Sequence, residues 1–191
     1  MSNIAVFLDR DGTISEEVGY VNHLSRFHLF ATTAKAIRRI NEAGLKAILI
    51  TNQAGVARGY FTEELILQVH TQLSTELATA GAYLDAIYYC PHHPSAGAPP
   101  YRTDCDCRKP KPGLLERAAR EHNIDLTRSF MIGDKYTDMQ LARRVGAHAV
   151  LVLTGYGRGE YEYQRNSWSI LPDYIAEDLS MAVDWILQTW R

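Results

Sequence analysis

No apolar run in this chain approaches the roughly 20 residues needed to cross a bilayer. The short stretch Ile4–Leu8 near the N-terminus is cut off at once by Asp9 and Arg10, too early for a signal-peptide core. A cytoplasmic protein without a membrane partner is the expectation. Charge of one sign is also lacking. With 20 Lys and Arg against 22 Asp and Glu, the net charge is −2, and no overall field favours nucleic acid. Cysteine is scarce: Cys90, Cys105 and Cys107 make three. An odd number cannot all pair internally, and clustered cysteines in a reducing compartment point to metal before disulfide. Internal repeats and low-complexity segments are absent, and so is a long exposed apolar helix stripe, which makes a monomer the expectation. The 191 residues suit a single domain, 1–191.

What is present is an alternation of short β-rich runs with longer amphipathic stretches. Strands are predicted at Ile4–Leu8, Ala47–Ile50, Ala86–Tyr89, Phe130–Ile132 and Ala149–Leu153. Helices are predicted at about Thr33–Ala43, Glu63–Ala80, Gly113–His122, Thr137–Val145 and Ser180–Thr189, from apolar spacings such as Leu65, Val69, Leu73 and Leu77. Thr62 before Glu63-Glu64 reads as an N-cap followed by an acidic first turn. Such alternation implies an α/β fold: a doubly wound, mainly parallel sheet with helices on both faces and right-handed crossovers. Ligands of such sheets sit at the carboxyl ends of the strands.

The chemistry gathers there. Ile4–Leu8 runs straight into Asp9-Arg10-Asp11-Gly12-Thr13. Two acids at the end of a buried strand are costly unless neutralised, and oxygen ligands of this kind suit magnesium. An acidic turn is the bland alternative. A calcium loop is another, but its positions 5 and 12 would be Thr13 and Tyr20, which are not acids. Further strand ends add Thr51, then Asp134 in Gly133-Asp134-Lys135, with Asp138 one helical turn on. Lys109 can offset phosphate charge.

Acid-x-acid-Gly-Thr, a Thr after the second strand, a Lys, and Gly-Asp-x-x-x-Asp together resemble the four motifs of the haloacid dehalogenase (HAD) superfamily of phosphotransferases. That resemblance implies a HAD-like Rossmannoid sheet. It implies Asp9 as nucleophile and Asp11 as the acid and base that serves the leaving group and then water. It implies magnesium on Asp9, Asp134 and the backbone carbonyl of Asp11, with Thr51 and Lys109 stabilising the phosphoryl group. Lys135 and Asp138 are expected to support these residues from behind.

Between the predicted third strand and Lys109 lies Cys90-Pro91-His92-His93-Pro94, then Cys105-Asp106-Cys107. Three thiolates and one imidazole form a closed tetrahedral zinc set, which leaves no open position and so is structural. Spacing alone does not separate His92 from His93; the resemblance selects His92, giving zinc on Cys90, His92, Cys105 and Cys107. Three incidental loop cysteines are the bland alternative. The zinc loop, at about 90–107, would order the Pro-rich piece Pro91–Pro100 and anchor Arg108 and Lys109, which follow directly.

No insertion is long enough for a separate cap domain. A zinc loop of this type resembles a narrower branch of the superfamily, the heptose bisphosphate phosphatases with the related histidinol-phosphatases. The supporting stretches are Glu17–Val21, Thr51–Gly59, Tyr88–Pro94 and Cys105–Pro110, with Ala54 standing where a Ser is usual. The similarity to histidinol-phosphatases is weaker around Gly19-Tyr20 and Ala57–Gly59. The resemblance implies a small sugar bisphosphate substrate touching Glu17, Val18, Gly19, Tyr20, Thr51, Asn52, Gln53, Ala54, Arg108 and Lys109. Arg108 is the candidate for a second phosphate, since a guanidinium matches phosphate bidentately; Arg58 and Lys111 are further cations. The competing class is a non-catalytic zinc module that binds a partner through Pro91–Pro100, a reading that leaves Asp9, Asp11 and Asp134 without a task.

Overall fold

In the computed structural model, which describes residues 2–190, every strand pairs in parallel and the central strands are buried. The strands are β1 Ala5–Leu8, β2 Lys46–Asn52, β3 Ala86–Cys90, β4 Phe130–Gly133, β5 His148–Val152 and β6 Tyr174–Ala176. They form one sheet in the order β3-β2-β1-β4-β5-β6. The helices are α1 Thr33–Glu42, α2 Glu63–Thr79, α3 Gly113–His122, α4 Tyr136–Val145, α5 Gly157–Gln164 and α6 Leu179–Thr189.

Strand periodicity of two sends alternate residues to opposite faces. Val6 and Leu8 of β1 join α1, α2 and α6 in one apolar layer. Ala5 and Phe7 join α3 and α4 in the other. Both faces of the sheet are thus covered, which is why its strands read as nearly unbroken apolar runs. The order reverses between β1 and β4, and the carboxyl ends of those two central strands open into the crevice where such sheets bind ligands.

The expected doubly wound fold is present, with no separate cap among the described residues. Two elements were not foreseen. β6 has three residues, too few to show a period, and α5 begins at Gly157 with a weak apolar stripe. Thr62 does sit at the N-cap of α2 with extended backbone, but its side chain makes no capping bond. Glu63 beside it instead accepts hydrogen bonds from Tyr89 Oη at 2.6 Å and Tyr101 Oη at 2.7 Å. That carboxylate ties the start of α2 to the end of β3 and to the cysteine-rich loop. The Pro-rich loop is fixed again at Gly97, whose φ is +80° and where any Cβ would meet the Ala57 carbonyl oxygen at 1.7 Å.

Candidate active site

Asp9 follows the last residue of β1, and Asp134 and Asp138 follow β4, one in the turn and one in the first turn of α4. One carboxylate oxygen from each of the three lies within 4.8 Å of the others, and all three residues are buried. Lys109, also buried, reaches Asp9 Oδ1 at 2.8 Å and Asp138 Oδ1 at 2.7 Å. Burial works against the lysine charge, but the two carboxylates outweigh it and raise its pKa. Burial, reinforced by the charge of Asp9, pushes the Asp134 carboxyl up to about 8. Burial likewise lifts Asp138 to about 6, against the pull of Lys109.

These shifts describe an excess of buried negative charge. Asp134 Oδ2 accepts the Tyr156 backbone N–H at 2.9 Å, while its Oδ1 has no hydrogen-bond partner among the described residues. An orphaned carboxylate oxygen facing two more carboxylates is the donor set of a hard divalent cation. Gly12 leaves the room: its φ is +84°, and a Cβ there would lie 2.1 Å from Asp134 Oδ2. The residues therefore fit magnesium.

Above this cluster opens a cleft of about 400 Å³. Asp11 lines it and is held from two sides. Arg10 donates to it from Nε at 3.1 Å and from a terminal nitrogen at 2.9 Å, and Gln53 Nε2 donates at 2.9 Å. The same Gln53 amide donates to Thr51 Oγ1 at 2.8 Å, so one side chain links the second acid to the hydroxyl at the end of β2. Asn52 and Lys109 exchange a reciprocal pair of hydrogen bonds, side-chain amide against backbone, at 3.0 and 3.2 Å. That pair fixes the lysine loop to β2.

In the cysteine-rich loop, the Sγ atoms of Cys90, Cys105 and Cys107 and Nδ1 of His92 all lie within 4.8 Å of one another. His92 Nδ1 is 3.2 Å from Cys107 Sγ, which is 3.1 Å from both other sulfurs. His93 is engaged elsewhere: its Nδ1 accepts the Ala96 N–H at 2.9 Å and its Nε2 meets Arg58 at 3.0 Å. Three sulfurs and one imidazole nitrogen, closed on themselves, are a zinc donor set.

A family model described as HAD-hydrolase-like matches residues 106–182. A relative from Thermosynechococcus vestitus, named D-glycero-D-manno-heptose-1,7-bisphosphate 7-phosphatase, is 44% identical over 194 residues, covering 97% of this chain and 96% of its own. The chain belongs to the heptose-1,7-bisphosphate 7-phosphatase family. Another member, from Photorhabdus laumondii, is 50% identical over 153 residues, with 79% of this chain and 81% of its own covered. A solved D,D-heptose 1,7-bisphosphate phosphatase from B. bronchiseptica, complexed with magnesium and phosphate, superposes with a TM-score of 0.86. It is 31% identical and covers 97% of this chain and 98% of its own.

Within this heptose bisphosphate phosphatase fold, most residues expected at the substrate do line the cleft: Glu17, Gly19, Tyr20, Thr51 to Ala54, Arg108 and Lys109. Val18 does not. Its side chain packs against the core and its carbonyl accepts from Arg26 at 2.9 Å, which turns this stretch of irregular backbone so that Val18 faces inward. The two further cations also turn away, Arg58 to His93 and Lys111 to Asp104 at 2.6 Å. Lys135 takes their place. It lines the cleft, pairs with Glu17 at 3.1 Å, and lies 4.6 Å from the Tyr156 ring centroid. Burial opposes the Lys135 charge, yet Asp134, Asp9 and Glu17 raise its pKa. Asp138, expected to support the site, has its carboxylate beside Asp9 and Asp134 and pairs with Lys109 at 2.7 Å. The Gly-Asp-Lys-x-x-Asp run carried the signal for both. Thr137 and Tyr156 also line the cleft, and no motif marked Tyr156.

Proposed function

We propose that this protein hydrolyses the C7 phosphate of D-glycero-D-manno-heptose 1,7-bisphosphate through a phospho-aspartate on Asp9, in nucleotide-activated heptose biosynthesis. The observation that carries the reading is the convergence of Asp9, Asp134, Asp138 and Lys109 beneath a cleft that also presents Arg108. A site for one phosphate needs the first four; the added guanidinium suits a substrate with a second.

Phosphoryl transfer depends chiefly on positioning and on neutralising charge on the equatorial oxygens. Thr51 Oγ1 and Lys109 Nζ bind those oxygens. Asp9 attacks phosphorus, the bond from phosphorus to the C7 oxygen breaks, and Asp11 donates its proton to the leaving alkoxide. Asp11 then takes a proton from water, the water oxygen attacks the phospho-aspartate, and inorganic phosphate leaves with Asp9 regenerated. Asp9, Asp134 and the Asp11 carbonyl would hold magnesium, which supplies neutralisation of the phosphoryl charge. Asp138 keeps Lys109 charged and in place.

Cys90, His92, Cys105 and Cys107 would hold a structural zinc, and Arg108 follows the last of them directly, with a terminal nitrogen 3.4 Å from the His92 carbonyl. Zinc thus fixes the residue that reads the second phosphate. The reading includes one domain over 1–191 acting as a monomer in the cytoplasm; three unpaired thiols support the compartment, and among the described residues no helix is long and apolar enough to cross a membrane.

The test is phosphate release from heptose 1,7-bisphosphate, histidinol phosphate and p-nitrophenyl phosphate, with phosphorus NMR of the product. The bisphosphate should be fastest, the surviving phosphate should be anomeric, and chelating magnesium should stop turnover. Faster turnover of histidinol phosphate, or loss of the anomeric phosphate, would overturn the assignment.

A further inference from the structure

Tyr156 sits where the chain leaves β5 and starts α5, and its ring is held without being buried. Its backbone N–H is spent on Asp134, its ring lies over Lys135 Nζ, and 49% of the residue remains exposed. Both the Asp9 cleft and a neighbouring hollow beside Phe30 and Gly155 use this ring as a wall. Tyr20 is the second exposed aromatic in the cleft. It is 39% exposed and rests edge-on against Tyr60, with ring centroids 4.8 Å apart. Tyr60 lies on the connection from β2 to α2, whereas Tyr156 follows β5, so the two walls rise on opposite sides of β1.

We propose that Tyr156 is a specificity-determining residue whose ring face packs against the pyranose of a sugar phosphate, opposite Tyr20. This deepens the function proposed above and rests on it. The phosphoryl group is held at the cleft floor by Thr51 and charged groups, which offer the C–H face of a sugar ring no apolar surface. A pyranose presents a face of C–H groups, positive at hydrogen, that complements the negative face of an aromatic ring. The Lys135 ammonium fixes the ring's tilt, so little rotamer entropy is lost when the sugar arrives.

The experiment compares steady-state kinetics of the magnesium-loaded full chain and its Tyr156→Phe and Tyr156→Ala variants. The substrates are heptose 1,7-bisphosphate and acetyl phosphate, which has no ring. Both variants keep the backbone N–H on Asp134. Tyr156→Ala should lower kcat/KM on the bisphosphate by roughly tenfold more than on acetyl phosphate, mainly through KM, as the loss of an apolar contact does. Tyr156→Phe should retain the wild-type preference. Equal losses on the two substrates, no loss, or a Phe variant as poor as Ala would overturn the proposal. Should the Ala variant fail to melt cooperatively, Tyr156→Leu carries the comparison. Wild-type protein that cleaves acetyl phosphate but not the heptose bisphosphate would sink the proposed function alone. The cyclic sugar phosphate it cleaves fastest then decides on Tyr156.

Discussion

Arg108→Ala isolates the second phosphate from the first. The Arg108 guanidinium lines the cleft, and its one described hydrogen bond is long, 3.4 Å to the His92 carbonyl. Truncation therefore removes little from the folded protein, and the thermal midpoint should move by no more than a few degrees. Against a phosphate dianion the same group can form a charge-assisted bidentate contact, with hydrogen bonds to charged groups contributing about 1.5–3 kcal/mol. At about 1.36 kcal/mol per decade, kcat/KM on heptose 1,7-bisphosphate should fall by roughly 10- to 150-fold. Heptose 7-phosphate lacks the second phosphate and should lose about threefold at most, a bound set by the near-neutral cost of a surface substitution. The assay is continuous phosphate release on both substrates, at one magnesium concentration and at low and high salt. If the two substrates lose equally, Arg108 serves the transferred phosphoryl group or the loop. The division of labour between Arg108 and Lys109 would then be wrong.

Asp9→Asn should abolish turnover while leaving the thermal midpoint near wild type, and beryllium fluoride should no longer bind; retained activity would refute the phospho-aspartate. Purified protein should carry about one zinc per chain by elemental analysis, and Cys107→Ala should lose stability and activity together; full activity without zinc would refute the structural site. Gly12→Ala should cost most of the activity, because its Cβ would fall 2.1 Å from Asp134 Oδ2 at a φ of +84°; an unimpaired enzyme would refute the packed acid cluster. Asp134 is raised from 3.8 to about 8 in the metal-free fold. That fold binds a proton the unfolded chain releases, so this group's contribution to stability fades as pH rises from about 4 through 8. Magnesium must displace that proton, so its affinity by calorimetry should climb toward pH 8 and then level off; affinity independent of pH would count against it.

Much of this protein is legible in its sequence. Buried parallel strands must be apolar throughout, so Ile4–Leu8 and Phe130–Ile132 announced themselves, and the acids directly after them had to lie at the crevice. The cluster of Cys90, His92, Cys105 and Cys107 was legible because its members are rare residue types gathered along the chain. Spacing could not choose between His92 and His93. Tertiary contacts with Arg58 and the turn at Ala96 made that choice. Side-chain direction on irregular backbone was equally beyond the sequence. Val18 faces the core while Glu17 faces the cleft, and Arg58 and Lys111 pair with nearby loop residues instead of substrate. The short α5 and β6 carried no periodic signal, and with them went Tyr156, a residue 147 positions from Asp9 in sequence. Periodicity reports which face of a regular element is apolar. Which loops meet over the sheet depends on strand order, and packing of the whole chain settles that.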